Sequence, residues 1–317
     1  MRRETSSICR PPTRRELFFD RAFRVGTLLF AWLTILLVVF IVYQIAATAA
    51  PAIRSQGTAF FTGLEWNAGQ NKFGIGAAIW GTLYSSFLGV AIGTLFGLAV
   101  AIFLTEDFLP VTVCLILKNT IALLAAIPSV VYGLWGIFVV IPTLRPVAGW
   151  LHQTLGWIPL FSTPLSGPGL LPAALVLAIM VLPTISAISR DALEAVPTKL
   201  REAAYGLGAT RWEVILKVVL PTASRGIYGA ILLAFGRALG ETMALAMLIG
   251  NANVLSWSLF SPATTLAALI ANQFPEASVV ERSALLYAAL VLLVITLSVN
   301  VLGTLILMRS GTQSGGR

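Results

Sequence analysis

Long apolar segments recur along the chain, separated by short polar stretches. Five of them carry no charged side chain and reach the length of about 20 residues that a helix needs to cross a bilayer: 25–47, 79–104, 119–141, 170–189 and 283–308. A sixth, 226–250, is equally apolar except for Arg237 and Glu241, and its length fits a spanning helix better than a loop. The pattern predicts an all-α membrane protein with six transmembrane helices.

The composition agrees with a lipid environment. Of the 317 residues, 57% are hydrophobic and 11% are charged, which is more apolar surface than a soluble domain of this length can bury. We therefore expect one transmembrane domain over 25–308, with polar tails at 1–24 and 309–317.

The net charge of +8 reflects topology rather than nucleic-acid binding. Seven arginines precede residue 25, and six basic residues fall within 190–225. The opposite loops hold only Arg54, Lys72, Arg145 and Arg282. Because basic residues favour the cytoplasmic side, both termini and the 190–225 loop are predicted to be cytoplasmic.

The N-terminal tail has two interpretations. Apolar and charged residues alternate over 14–24 at roughly helical spacing, which suits a helix on the membrane surface, and a basic flank that only sets orientation is the alternative. The apolar core of the first span exceeds the roughly 7–15 residues of a signal peptide, so we expect it to be retained as an anchor.

No feature of the sequence is typical of an enzyme. The Gly-rich phosphate loop with its lysine is absent, so any ATP hydrolysis must occur on another subunit. His152 lies in a proline-rich loop without a neighbouring carboxylate or nucleophile. Cys9 and Cys114 have no disulfide or zinc spacing, and we expect neither a metal site nor a bound cofactor.

The cytoplasmic loop 190–225 carries a spaced motif. It consists of Glu202, Ala203 and Ala204, then Gly208 after three residues, then Leu220 and Pro221 after eleven more. Small alanines permit close approach, Gly208 can end a helix in a left-handed turn, and Pro221 suits the start of the next helix. The alternative is an ordinary helix-turn-helix between spans.

This spacing resembles the EAA loop of ABC importer permeases, with Val218 in place of the usual isoleucine. The resemblance implies the type I importer permease (MetI-like) fold. It also implies that the loop forms a short coupling helix seated in a separate ATPase.

A second resemblance narrows the substrate. Segments 84–106, 125–142 and 236–250 are similar to PstC-type permeases of bacterial phosphate importers. This implies import of inorganic phosphate across the bacterial inner membrane. It also implies a PstA-like second permease, two PstB-like subunits that bind ATP, and an external PstS-like binding protein. The alternatives are a PstA-type half, a permease for sulfate or molybdate, or an ion-coupled secondary transporter.

Two charges in the sixth apolar segment suggest a substrate path. Arg237 lies about 16 Å into the predicted span, where an ionised side chain costs about 2.5–3.5 kcal/mol and must face an interior or water. Its planar donor fork suits phosphate oxygens. Glu241, at i+4 on the same helical face, is expected to position Arg237 and to limit anion affinity, and Thr242 extends the path. A structural ion pair is the alternative.

The third predicted span contains a candidate gate. Pro128 interrupts the helical hydrogen bonds before Ser129 and Tyr132, and Gly133 and Gly136 are expected to loosen packing nearby. A kinked, mobile helix is one interpretation. Proline and glycine that serve packing alone are the other.

Overall fold

The computed structural model describes residues 13–106 and 108–312; residues 1–12, with Cys9, and 313–317 of the predicted tails lie outside this range. Six helical segments within it are long and apolar enough to cross a membrane, which confirms the predicted number of spans. They are Arg14–Gln56, Gly76–Thr105, Ser129–Leu155, Leu170–Glu194, Arg211–Leu239 and Val279–Met308.

The first helix, α1, runs without a break over Arg14–Gln56. The predicted helicity of 14–24 is therefore confirmed, but no helix boundary falls at residue 25. A surface location for 14–24 stays a prediction. Internal contacts divide the chain into two compact units, one up to Thr48 and one from Ala49.

The third span differs from the prediction of 119–141. Helix α4 (Val111–Ala126) ends before Pro128, and α5 (Ser129–Trp135), a π-helical turn (Gly136–Val140) and α6 (Ile141–Leu155) continue from there. Ile127 and Pro128 have extended backbones, with ψ of 128° and 143°. Proline lacks an N–H and disfavours helix at the preceding residue, so it ends α4. The long segment is Ser129–Leu155.

The fifth span also differs, because the predicted range 226–250 crosses a helix end. The helix begins at α9 (Arg211–Val214), passes through a π-helical turn (Ile215–Val219), and ends with α10 (Leu220–Leu239). Glu241 and Thr242 follow in irregular backbone, and a short α11 (Met243–Leu248) comes next. Gly240, a poor helix former, stands at the break.

The centre of the fold is the packed pair α3 (Gly76–Thr105) and α7 (Leu170–Glu194). Glycines at 89, 93 and 97 form one stripe of α3, and the side chains of Leu177, Val181 and Ile185 on α7 pack directly against it. Small residues at i, i+4 and i+8 let two membrane helices approach closely. The two helices therefore form a tight unit.

Short elements complete the predicted outer side. They are α2 (Ala59–Thr62), a hairpin of β1 (Trp66–Asn67) and β2 (Lys72–Phe73), 3-10 turns at Ala68–Gln70, Pro159–Phe161 and Phe274–Glu276, and α12 (Leu266–Gln273). The buried Glu281, on α13 (Val279–Thr312), accepts a 3.0 Å hydrogen bond from the Trp66 indole.

Candidate functional site: coupling loop and substrate path

The first part of the motif, Glu202 to Ala204, lies in a short helix, α8 (Thr198–Gly206), that ends in a left-handed turn. Gly208 has φ of +81°, as predicted for this position. The Ala209 N–H donates to the Ala204 carbonyl at 3.1 Å and the Gly208 N–H to the Tyr205 carbonyl at 2.9 Å. These two bonds define a Schellman C-cap, which favours glycine at the left-handed position.

Helix α8 has an exposed face and a packed face. Glu202, Ala203 and Tyr205 are exposed. Ala204 is half-buried and packs with Ala101 and other apolar residues of the neighbouring helix ends. Of the two alanines expected to permit close approach to a partner, Ala203 is therefore available and Ala204 serves internal packing.

The helix after the motif starts earlier than expected. Thr210 caps α9 through a capping box, in which its hydroxyl receives the Glu213 N–H and the Glu213 carboxylate receives the Thr210 N–H at 3.0 Å. Leu220 and Pro221, predicted to mark the helix start, instead lie within the continuous helix. Pro221 has no N–H to donate to the preceding turn, and the π-helical turn before it lets the helix continue past this missing bond.

Arg237 lies in the last turn of α10, rather than midway along its helix, and its side chain is exposed. Its Nη1 lies 3.4 Å from the Thr184 hydroxyl on α7, a long contact. Tyr132 lies within electrostatic range of the guanidinium. In the part of the chain that the structure describes, no carboxylate lies within 4.0 Å of Arg237, so most of its five N–H donors stay available.

Glu241 does not share a helical face with Arg237, because α10 ends between them. The predicted i, i+4 relation is therefore wrong, and no ion pair joins the two within the described residues. Glu241 and Thr242 are half-buried at the break, where the Thr242 hydroxyl donates to the Gly240 carbonyl at 3.0 Å. The three residues still lie within six positions at one helix end.

The break at Pro128 is pinned by a hydrogen bond. Ser129 opens α5, and the buried Tyr132 donates its hydroxyl to the Leu124 carbonyl at 2.8 Å, joining α5 to the end of α4. The glycines at 133 and 136 do not loosen this region: a Cβ on them would lie 2.6 Å from the Met247 sulfur and 2.5 Å from the Leu248 side chain. They instead permit α5 and the π-helical turn to pack closely on α11.

A cavity of about 230 Å³ lies between α4 and α7. Lys118, Ser186 and Arg190 contribute its polar lining. Arg190 is paired with Asp191 and Glu194, at 3.2 and 3.4 Å. Among the described residues no carboxylate pairs with Lys118, so its side chain supplies a positive charge to this cavity.

One buried ion pair beside α8 was not predicted from the sequence. Arg201, directly before the motif, contacts the carboxylate of Glu106 at the end of α3. The sequence offers only a weak indication of this pair, which is that Glu106 follows a long uncharged segment. In the structure Arg201 is half-buried, unlike the exposed motif residues. Since the two residues are 95 positions apart, only the fold brings them together.

The chain is similar to proteins of one family along most of its length. Residues 93–309 match the family of the "Binding-protein-dependent transport system inner membrane component". The phosphate transport system permease protein PstC of Xylella fastidiosa is 44% identical over 269 residues, or 83% of each chain. The protein of the same name from Mesorhizobium japonicum is 41% identical over 308 residues, which cover 95% of this chain and 94% of that one.

Solved structures support the fold. A bacterial ABC transporter that imports the acidic polysaccharide alginate matches with a TM-score of 0.59 and 19% identity, covering 91% of this chain and 99% of that one. An inward-facing form of the methionine transporter MetNI matches with a TM-score of 0.54 and 18% identity, covering 73% and 94%. The predicted type I importer (MetI-like) fold is confirmed.

Proposed function

Because the chain belongs to the family of binding-protein-dependent transport system inner membrane components, we propose that it is a permease subunit of an ATP-driven importer of inorganic phosphate. The phosphate transport permeases similar to it support this substrate. The chain is a transport component whose ATP is bound and hydrolysed by separate subunits.

The observation that carries the substrate assignment is Arg237. It is a permanently charged guanidinium in an apolar spanning helix, with one long hydrogen bond to Thr184 and no carboxylate within ion-pair distance in the described range. An arginine that pairs with nothing costs free energy in a membrane unless a passing anion or water meets it. A phosphate oxyanion satisfies the planar donor fork.

Glu241 and Thr242 border the same helix end and complete the substrate path. Without an ion pair to Arg237, Glu241 is not its positioning residue. Its role in this proposal is to repel the anion, which keeps the site from holding its cargo too tightly. Thr242 contributes a hydroxyl at the same helix end.

The family supports partners of this kind, and the proposal extends to specific ones. A second, PstA-like permease faces the exposed side of this chain, two PstB-like ATPases receive the exposed face of α8, and a PstS-like protein delivers phosphate from outside. The chain spans a bacterial inner membrane, with both termini and 190–225 on the cytoplasmic side.

The break at Pro128, Ser129 and Tyr132 is the gate of the path. The hydrogen bond from Tyr132 to the end of α4 holds it in the observed conformation.

The test is uptake of labelled phosphate into proteoliposomes that contain the complete transporter, with binding protein outside and ATP inside. We expect uptake that requires both and that excess sulfate or molybdate does not displace. Uptake driven by an ion gradient without ATP, or displacement by sulfate or molybdate at equal concentration, would contradict the proposal.

A further inference from the structure

One guanidinium joins the coupling helix to the ends of two spanning helices. Nη1 of Arg201 contacts the Glu106 carboxylate, and Nη2 donates to the Leu193 carbonyl at 2.9 Å. Glu106 is the residue at which α3 ends, and Leu193 lies in the last turn of α7. Arg201 therefore holds α8 against both helices at once.

The burial of this pair sets it apart from the exposed ion pairs of the same region. Glu106 is 6% exposed, and the side chain of Arg201 is 18% exposed. A carboxylate at the C-terminal end of a helix opposes the helix dipole, so Glu106 is unfavourable there without its partner. Removing one member of a buried pair leaves the other charge uncompensated.

The two faces of α8 have different surroundings. Glu202, Ala203 and Tyr205 are exposed on the side open to another protein, whereas Arg201 points inward. A push on the exposed face is thus transferred through α8 to the guanidinium.

A rigid path leads on from the guanidinium. The helices α3 and α7 pack tightly along their glycine stripe, so they move together. Thr184, beside Arg237, lies nine residues before Leu193 on α7, which is about 14 Å along the helix axis. A displacement of the α7 end therefore reaches the side chain that contacts Arg237.

A second contact, between Phe108 and α9, joins the same end of α3 to the helix that follows Gly208. Phe108, in the segment that follows α3, stacks on Trp212 of α9 with ring centroids 5.2 Å apart. The Arg211 guanidinium carbon lies 4.8 Å from the centre of the Phe108 ring. Both helices that flank the Gly208 turn thus contact the region after α3, α8 through Glu106 and α9 through Phe108.

We propose that the Arg201–Glu106 pair transmits the movement of the coupling helix to the α3–α7 unit, so that ATP hydrolysis and the state of the Arg237 site change together. Both are positioning residues, and neither contacts the anion. The proposal rests on the proposed function of the chain.

The experiment measures ATP hydrolysed per phosphate imported, in proteoliposomes with the complete transporter and its binding protein. Glu106→Gln and Arg201→Gln are each expected to raise this ratio about fivefold or more, the lower range of coupling between sites. In both variants, phosphate-loaded binding protein is also expected to stimulate ATP hydrolysis less than it does in the wild type. The double variant is expected to match Arg201→Gln, because that substitution already removes the contact with Glu106 together with the bond to the Leu193 carbonyl.

Glu281→Gln is the matched control. Glu281 is also 6% exposed and holds one distant partner, the Trp66 indole, but it lies far along the chain from α8. We expect its ratio to equal that of the wild type, even if its complex is less stable. This control separates loss of coupling from the general cost of disturbing a buried carboxylate.

Two results would overturn the proposal. One is an unchanged ratio in Glu106→Gln and Arg201→Gln, which includes the case in which uptake and hydrolysis fall in equal proportion. The other is additive effects in the double variant. If the Gln variants do not assemble, Arg201→Lys keeps the charge but lacks the fork that reaches two acceptors, and its ratio must still rise. Absence of phosphate uptake by the wild type would instead reject the proposed function.

Discussion

Replacing Gly208 tests the geometry of the coupling loop with a magnitude that follows from the backbone. Its φ of +81° costs an L-residue about 1–2 kcal/mol. A Cβ added there meets nothing within 4 Å, so the cost is conformational and not steric. Gly208→Ala should therefore lower the free energy of opening the α8 cap by about 1–2 kcal/mol, a factor of about 5–30.

Amide hydrogen exchange of 198–209 in the purified transporter measures this change. The matched control is Gly206→Ala, two residues earlier, where a Cβ also meets nothing within 4 Å. Because Gly206 is helical, alanine there should stabilise α8 by about 0.5–1 kcal/mol. Gly208→Ala is thus expected to speed exchange and Gly206→Ala to slow it. Equal rates in the two variants would refute the left-handed cap.

Two further substitutions test the gate and the packing. Tyr132→Phe removes a hydrogen bond of about 1 kcal/mol to the Leu124 carbonyl at the end of α4 and should reduce phosphate uptake about fivefold. Tyr84→Phe loses a similar bond, to the Trp257 carbonyl, and should leave uptake unchanged. Equal losses of uptake in the two variants would contradict the gate. Gly81→Ala places a Cβ against the Thr264 carbonyl oxygen, far inside van der Waals distance, and should lower the free energy of unfolding by about 1–3 kcal/mol, measured by thermal unfolding. Gly229→Ala, at an open helical position, should leave the melting temperature unchanged or raise it slightly. A melting temperature that does not fall in Gly81→Ala would contradict the packing.

Features set by local chemistry could be predicted from the sequence. The number of spans follows from the length of uncharged segments, because the bilayer fixes how many residues a helix needs. The left-handed turn at Gly208 follows from glycine between two helical patterns. The proposed docking face of α8 follows in part, since the motif residues Glu202 and Ala203 are exposed while Ala204 is not.

Features that depend on where a helix breaks were harder to predict. Residues on both sides of Pro128 are equally apolar, so hydropathy does not show which half continues the third span. At Gly240 the apolar pattern continues into α11, which hides the helix end between Arg237 and Glu241. The Arg201–Glu106 pair depends on α3 meeting α8 in space, and no local pattern contains that information.

In the proposed function, a phosphate oxyanion meets Arg237 on its way through the membrane. The direct measurement is ATP-driven uptake of labelled phosphate by complete transporters that carry Arg237→Gln, beside Arg145→Gln as a control whose guanidinium bonds the Ser166 carbonyl at 2.9 Å. We predict that Arg237→Gln lowers uptake about tenfold or more, as expected when a charged hydrogen bond is lost, with assembly intact and Arg145→Gln unaffected. Normal uptake by Arg237→Gln would show that the anion does not depend on this guanidinium.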